Sequence, residues 1–115
     1  MFQRSYSQTL KDSGHEARAR EREAFDKLID LLELADVDGV NSRACIDAMF
    51  FLRSLWVILL EDIAHPDNAL AADLRARIGS IGIWMLKRAE DIRLGKSTDL
   101  RGLIEINSII RDGLK

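Results

Sequence analysis

The side chains in this sequence that could do chemistry are few and scattered. The two histidines, His15 and His65, lie in different parts of the chain, and the single cysteine, Cys45, sits in a strongly apolar neighbourhood. The sequence contains no HExxH, no CxxC and no glycine-rich phosphate loop, so neither a metal ion nor a nucleotide or other cofactor finds its usual ligand set. A lone thiol needs an activating base before it becomes a nucleophile. Cys45 therefore reads as an inert core thiol in a protein of a reducing compartment. His65, directly before Pro66, reads as the filling of a helix end, where an imidazole can meet free carbonyls. Glu16, Glu21 and Glu23 alternate with Arg18, Arg20 and Arg22, the pattern of a solvated face laced with weak ion pairs rather than of an acid and base pair. The expectation is a protein with no catalytic residue, no metal and no cofactor, hence not an enzyme and without a small-molecule substrate.

What remains is binding chemistry, and two sets of residues offer it. Arg75, Arg77, Lys87, Arg88, Arg93 and Lys96 give one region a basic tint that could meet RNA phosphates, but Asp73, Glu90 and Asp91 lie among them. With 17 basic and 19 acidic side chains the formal net charge is -2, and no overall field draws in a phosphate backbone. Nucleic acid is thus disfavoured as a partner, with an RNA-binding regulator as the alternative reading. The second set is apolar. Phe51 and Ile58 interrupt a polar stripe of Arg43, Asp47, Ser54 and Glu61 or Asp62. Together with Trp56 and Trp84 they could form a groove for an amphipathic partner helix. Phe51, Trp56, Ile58 and Trp84 are accordingly the candidate partner-binding residues. Asn107 falls on an inward face and reads as a buried amide that fixes helix register.

The elements that must position these residues are helices. A chain of 115 residues with 47% apolar content fills one modest core, which predicts a single domain over 1–115. Apolar spacings of three and four without alternating runs predict an all-α fold, a compact bundle of about four helices. The first runs from about Gly14 to Ala35 with Phe25, Leu28, Leu32 and Ala35 inward; residues 1–13, with Phe2, Tyr6 and Leu10 at helical spacing, form a flexible arm or a short docking helix. Asp36, Asp38, Gly39, Asn41 and Ser42 make a turn. The second helix reaches about Ala64 and is apolar nearly all round, Ile46, Met49, Phe50 and Leu52 included, so it must be central. The third is capped by Asp67 or Asn68, carries Leu70, Leu74, Ile78, Ile81, Met85 and Ile92 as its stripe, and stops near Leu94 with Gly95 as a left-handed cap. Within it Gly79 and Gly82 each cost about 1 kcal/mol against alanine, which predicts a neighbouring helix lying close on that side. Ser97, Thr98 or Asp99 caps a fourth helix ending near Gly113, with Leu100, Leu103, Ile104, Ile110 and Leu114 inward. The N-terminal MFQRSYSQTLKDSG is too polar for a signal peptide, and the apolar run Ala48 to Leu60, broken by Arg53 and Ser54, falls short of the roughly 20 residues a spanning helix needs. A cytoplasmic protein without membrane contact is expected.

One combination of segments is more specific than any of these parts. The string HPDNALAADLRARIGSIGIW, preceded by RSLW at Arg53 to Trp56 and followed by LIEINSIIRDGL at Leu103 to Leu114, resembles the FlaF family of flagellar biosynthesis regulators. The resemblance extends to Tyr6 in YSQT and to REREAF at Arg20 to Phe25. Leu52 stands where the family pattern has asparagine four residues before the tryptophan, and Ala71 where proline follows the leucine. The resemblance implies a small cytoplasmic, all-helical protein of alphaproteobacterial type that promotes flagellin synthesis and secretion. Such proteins look like flagellin-binding export chaperones working alongside the translational regulator FlbT. On this view residues 65–86 build scaffold and one wall of the groove that receives flagellin.

Overall fold

The computed structural model describes the backbone of residues 6–113 and the side chains of residues 19–113. Four helices follow one another, α1 (Tyr6–Asp38), α2 (Arg43–Ala64), α3 (Ala72–Arg93) and α4 (Leu100–Asp112), with no strand among the described residues. The fold is the all-α bundle that the periodicity predicts. Its order across the bundle is α3, α2, α1, α4: α1 packs on both α2 and α4, and α3 packs on α2. Leu28, Leu32 and Ala35 of α1, Ala48, Leu52 and Trp56 of α2, Met85 of α3 and Leu103 of α4 are fully buried between them. Leu52, in the place of the family's asparagine, is part of this core.

The helix ends are set by local chemistry. Gly39 (φ 100°) lets the chain leave α1, and its N–H donates to Ala35 O at 2.7 Å. Ser42 then caps α2, its Oγ accepting from Cys45 N at 3.1 Å and donating to Gly39 O at 2.6 Å. α3 ends on Gly95 (φ 77°), where Lys96 N donates to Asp91 O and Gly95 N to Ile92 O, a Schellman closure. Asp99 caps α4 by accepting from Gly102 N at 3.0 Å. A side chain at Gly102 would collide with that carboxylate, which explains the glycine.

Several boundaries differ from the sequence-based expectation. α1 is helical from Tyr6 and continues through Asp36 and Asp38, because the turn needs only the three residues from Gly39 to Asn41 before the Ser42 cap. Residues 1–5 of the expected N-terminal arm, and the side chains of Tyr6 and Leu10, lie outside the described residues, as does Leu114. α3 begins at Ala72, not at Asp67 or Asn68, and Ala71 occupies the cap position without a side-chain bond. Asn68 is used locally instead: its Nδ2 donates to Asp62 O and its Oδ1 accepts from Leu70 N, turns that compete with helix. Ala71 has φ −60°, the value proline fixes, so alanine in place of the family's proline keeps the same backbone. His65 ends α2 as expected, but its Nδ1 accepts from Asp67 N and meets no carbonyl.

The two glycines of α3 are not equivalent. A Cβ at Gly82 would sit 2.6 Å from Leu60 Cδ2 and 3.1 Å from Trp56 Cε3, whereas one at Gly79 would make ordinary contact with Ile63 at 3.6 Å. Only Gly82 is where α2 and α3 demand the missing side chain. Gly79→Ala is therefore expected to stabilise the fold by about 0.5–1 kcal/mol through helix propensity. Gly82→Ala should destabilise it by about 1–3 kcal/mol, because the new methyl overlaps Leu60 and crowds the buried Trp56 ring, so that α2 and α3 must move apart or Leu60 must leave its place. Parallel denaturant unfolding of the two variants checks the difference in sign.

Candidate functional site

The two halves of α3 are buried unequally. From Gly82 onwards the helix sends Met85, Ala89 and Ile92 into the core, but Ala72–Ile81 contributes no buried residue. Leu70 and Leu74 remain 40% and 42% exposed, and Ile78 and Ile81 are half-buried. The stripe predicted to be core is core only in its C-terminal half. The physical reason is the order of helices: α3 packs on α2, and among the described residues nothing buries its first half.

The consequence is an open groove of about 500 Å³ at the end of the bundle where α1 enters and α2 finishes. One wall is Leu70, Leu74, Ile78 and Ile81; the other side is formed by Phe25, Leu59, Ile63 and Ile110, with Trp56 in the floor. Carboxylates of Glu21 and Asp62 stand on its lips. Trp56 anchors the floor. Its ring meets Phe25 edge-on with centroids 5.9 Å apart, and its Nε1 donates to Asn107 Oδ1 at 3.0 Å. The Asn107 Nδ2 in turn donates to Leu103 O at 2.7 Å and approaches Met85 Sδ at 3.4 Å. The amide is fully buried, so the indole and the carboxamide satisfy each other inside an apolar surround and link α2, α3 and α4 at one register. A groove of this size and lining suits the apolar face of an amphipathic helix, anchored at spacings of three and four.

The four residues singled out from sequence are dispersed by the structure. Trp56 is fully buried and belongs to the groove floor, so it supports the site from beneath and is not an exposed contact. Phe51 is half-buried, with Lys27 Nζ 5.2 Å from its ring centroid; the neighbouring α1 covers it. Trp84 is half-buried under the Arg88 guanidinium at 5.2 Å. Ile58 alone is well exposed, at 62%. The residues sequence reasoning misassigned are their neighbours: Ile46 and Phe50, expected inside, stand 63% and 73% exposed. An all-round apolar helix gives no signal for which face its neighbours will cover. The groove wall was visible as an apolar stripe, but nothing in the pattern distinguished its open half from its buried half.

The remaining chemistry is quiet. Burial raises the pKa of the Cys45 thiol, which suits a core residue. Among the described residues no cluster of histidine, cysteine and carboxylate side chains could hold a metal ion, and no helix is long and apolar enough to cross a membrane. The basic residues of α3 are partly spoken for: Arg93 donates twice to Glu90, at 2.8 and 2.6 Å, and Arg88 Nη1 donates to Ser97 Oγ. On the opposite side Arg101 reaches Glu33 and Asp36, and Arg111 reaches Asp26, tying α4 to α1 at the surface.

Compared with known proteins, the chain matches one family model, described as Flagellar protein FlaF, over residues 2–114. No curated protein and no solved structure matches it.

Proposed function

The chain belongs to the FlaF family of flagellar proteins, and from that premise we propose that it is a non-enzymatic, cytoplasmic chaperone that binds flagellin and promotes its synthesis and secretion. The observation that carries this reading is the apolar groove between α3 and the rest of the bundle, open among the described residues. Terminal segments of flagellin are amphipathic, stay unfolded before assembly and would aggregate if left uncovered. One such segment, folding into a helix, places its apolar side chains against Leu74, Ile78, Ile63 and Ile110 and is released without chemistry. Regulation of synthesis then follows from occupancy of the groove, in concert with FlbT, rather than from contact with messenger RNA. The alternative of direct RNA binding through α3 is weakened by the ion pairs of Arg93 with Glu90 and of Arg88 with Asp99.

Calorimetric titration with purified cognate flagellin at low and high salt tests the proposal. The expected result is affinity of micromolar or better, a negative heat-capacity change and less than threefold weakening by salt, as apolar docking requires. Steep loss with salt, or binding of flagellin messenger RNA in its place, would move the function to phosphate recognition.

A further inference from the structure

α2 packs on α1 and on α3 and among the described residues keeps a third face open. Ile46, Phe50 and Ile58 stand on it 63%, 73% and 62% exposed, with Arg43, Ser54 and Glu61 exposed among them. Near the start of α2 this face opens into an apolar depression of about 470 Å³, bordered by Ile46 and Phe50 and floored by Met49 and Ile92. Large apolar side chains gathered on one helix face mark a contact surface more often than residues scattered singly do.

Net charge selects neither an acidic nor a basic occupant. The segments that carry the lining of the depression, 38–53 and 90–96, hold Arg43, Arg53, Arg93 and Lys96 against Asp38, Asp47, Glu90 and Asp91. Arg43 reaches Asp47 at 3.1 Å and Arg93 reaches Glu90 at 2.6 Å. At the α1 edge Lys27 lies against the Phe51 ring. The face matches itself instead. Arg43 and Glu61 are about five full helical turns apart, so they lie on one line along α2. Position 52 is midway between them, and it is equally midway between Ile46 and Ile58 and between Phe50 and Ser54. An antiparallel copy, related by a two-fold axis at that level, therefore sets Arg43 against Glu61 of the other copy and Ile46 level with Ile58. It also sets the Phe50 ring over the small Ser54 side chain. A parallel copy would set Arg43 on Arg43 and Glu61 on Glu61.

We propose that the open face of α2 is a surface for a second copy of this chain, the two α2 helices pairing antiparallel about a two-fold axis at the level of Leu52. The C-terminal half of each face, with Ile58, then covers the half that holds the depression in the other. Arg53, one position from the axis, is the single charge of α2 that this register brings beside its own copy. The contact runs for about 27 Å at 1.5 Å per residue, which belongs to the smaller, reversible class of interface. Trp56, Leu59 and Ile63, which line the groove, are on the opposite side of α2, so the pair leaves both grooves open and is independent of what fills them.

Sedimentation velocity of the full chain at increasing concentration tests this, and a monomer–dimer equilibrium in the micromolar range is expected. Phe50→Ser should weaken the dimer by about tenfold while the thermal melt of the dilute monomer stays unchanged. Arg43→Glu and Glu61→Arg should each weaken it by about threefold, and the two together should restore it, as the antiparallel register requires. Arg53→Gln should tighten it, and Leu74→Glu with Ile78→Glu in the groove should leave it unchanged. A chain that stays monomeric at the highest concentration reached, a dimer untouched by Phe50→Ser, or a double reversal that fails to restore it would each overturn the proposal. Loss of the dimer through the groove variant would do so too. A monomeric chain whose Phe50→Ser variant loses affinity for flagellin would overturn it as well and give the face to flagellin.

Discussion

Trp56→Ala should lower the unfolding free energy by about 4 kcal/mol. Removing a buried indole leaves a cavity among Phe25, Leu60 and Met85 that neighbours fill only in part, and such changes cost about 3–5 kcal/mol. The residue has no exposure at all. Against a total stability of about 5–15 kcal/mol for a small domain, the variant stands near unfolding at physiological temperature. Part of the loss belongs to one hydrogen bond. Trp56→Phe keeps most of the ring but deletes the donor to Asn107 Oδ1, and an unpaired buried acceptor costs about 1–3 kcal/mol. Replacing both partners, with Trp56→Phe and Asn107→Leu together, should recover part of that, since two apolar groups leave nothing unsatisfied. Denaturant unfolding of Trp56→Phe, Asn107→Leu and the double variant gives the coupling directly. Additive losses in the cycle, with no recovery in the double variant, would show that the indole and the amide do not act as a pair. The result also governs how binding data are read: a Trp56 variant that fails to bind flagellin reports a lost groove floor, not a lost contact.

Leu74→Glu with Ile78→Glu should weaken flagellin binding by about a hundredfold while leaving the fold within about 1 kcal/mol of the parent. Leu74 is 42% exposed and Ile78 half-buried, so neither carboxylate has to enter the core, and both are free to point outward in the absence of a partner. When a partner helix covers the wall, the two charges are desolvated without a counter-ion, and anchor positions of this kind are worth about 1–2 kcal/mol each. The hundredfold corresponds to about 2.8 kcal/mol. Ile58→Glu, on the exposed stripe of α2 outside the groove, serves as the control and should change affinity less than threefold. The reverse outcome, with Ile58→Glu abolishing binding and the groove pair harmless, would transfer the docking face to the outer side of α2. Calorimetry of the three proteins, each checked by its thermal melt, decides between the two faces.

Much of this architecture is legible in the amino-acid sequence, because helix ends answer to neighbours only a few residues away. Ser42, Gly39, Gly95 and Asp99 stop and start helices through bonds to backbone groups within four positions, and each announces itself by residue type. Asn107 is legible for a similar reason: a single amide on an inward face must find a partner or be costly. The start of α3 is less legible. Asp67, Asn68 and Ala71 all stand before a helical run, and the local turn that Asn68 closes with Asp62 and Leu70 moves the helix start to Ala72.

By itself, then, the sequence determined the class of fold, the number of helices, most of their caps, and through the order of its motifs the family to which the chain belongs. Those properties depend on local periodicity, on short-range hydrogen bonds and on residue identity. The tertiary structure alone decided which apolar residues face water. Phe50 and Phe51 are adjacent and chemically identical, yet one is open and the other lies beneath Lys27, and Leu74 and Met85 share a stripe of α3 yet only Met85 is covered. Gly82 and Gly79 likewise differ only in what α2 places opposite them. Exposure is a property of the neighbours a side chain meets across the bundle, and those neighbours come from helices far away in the chain. Among the described residues the groove exists because the first half of α3 packs on α2 along one side and stays partly exposed along the other.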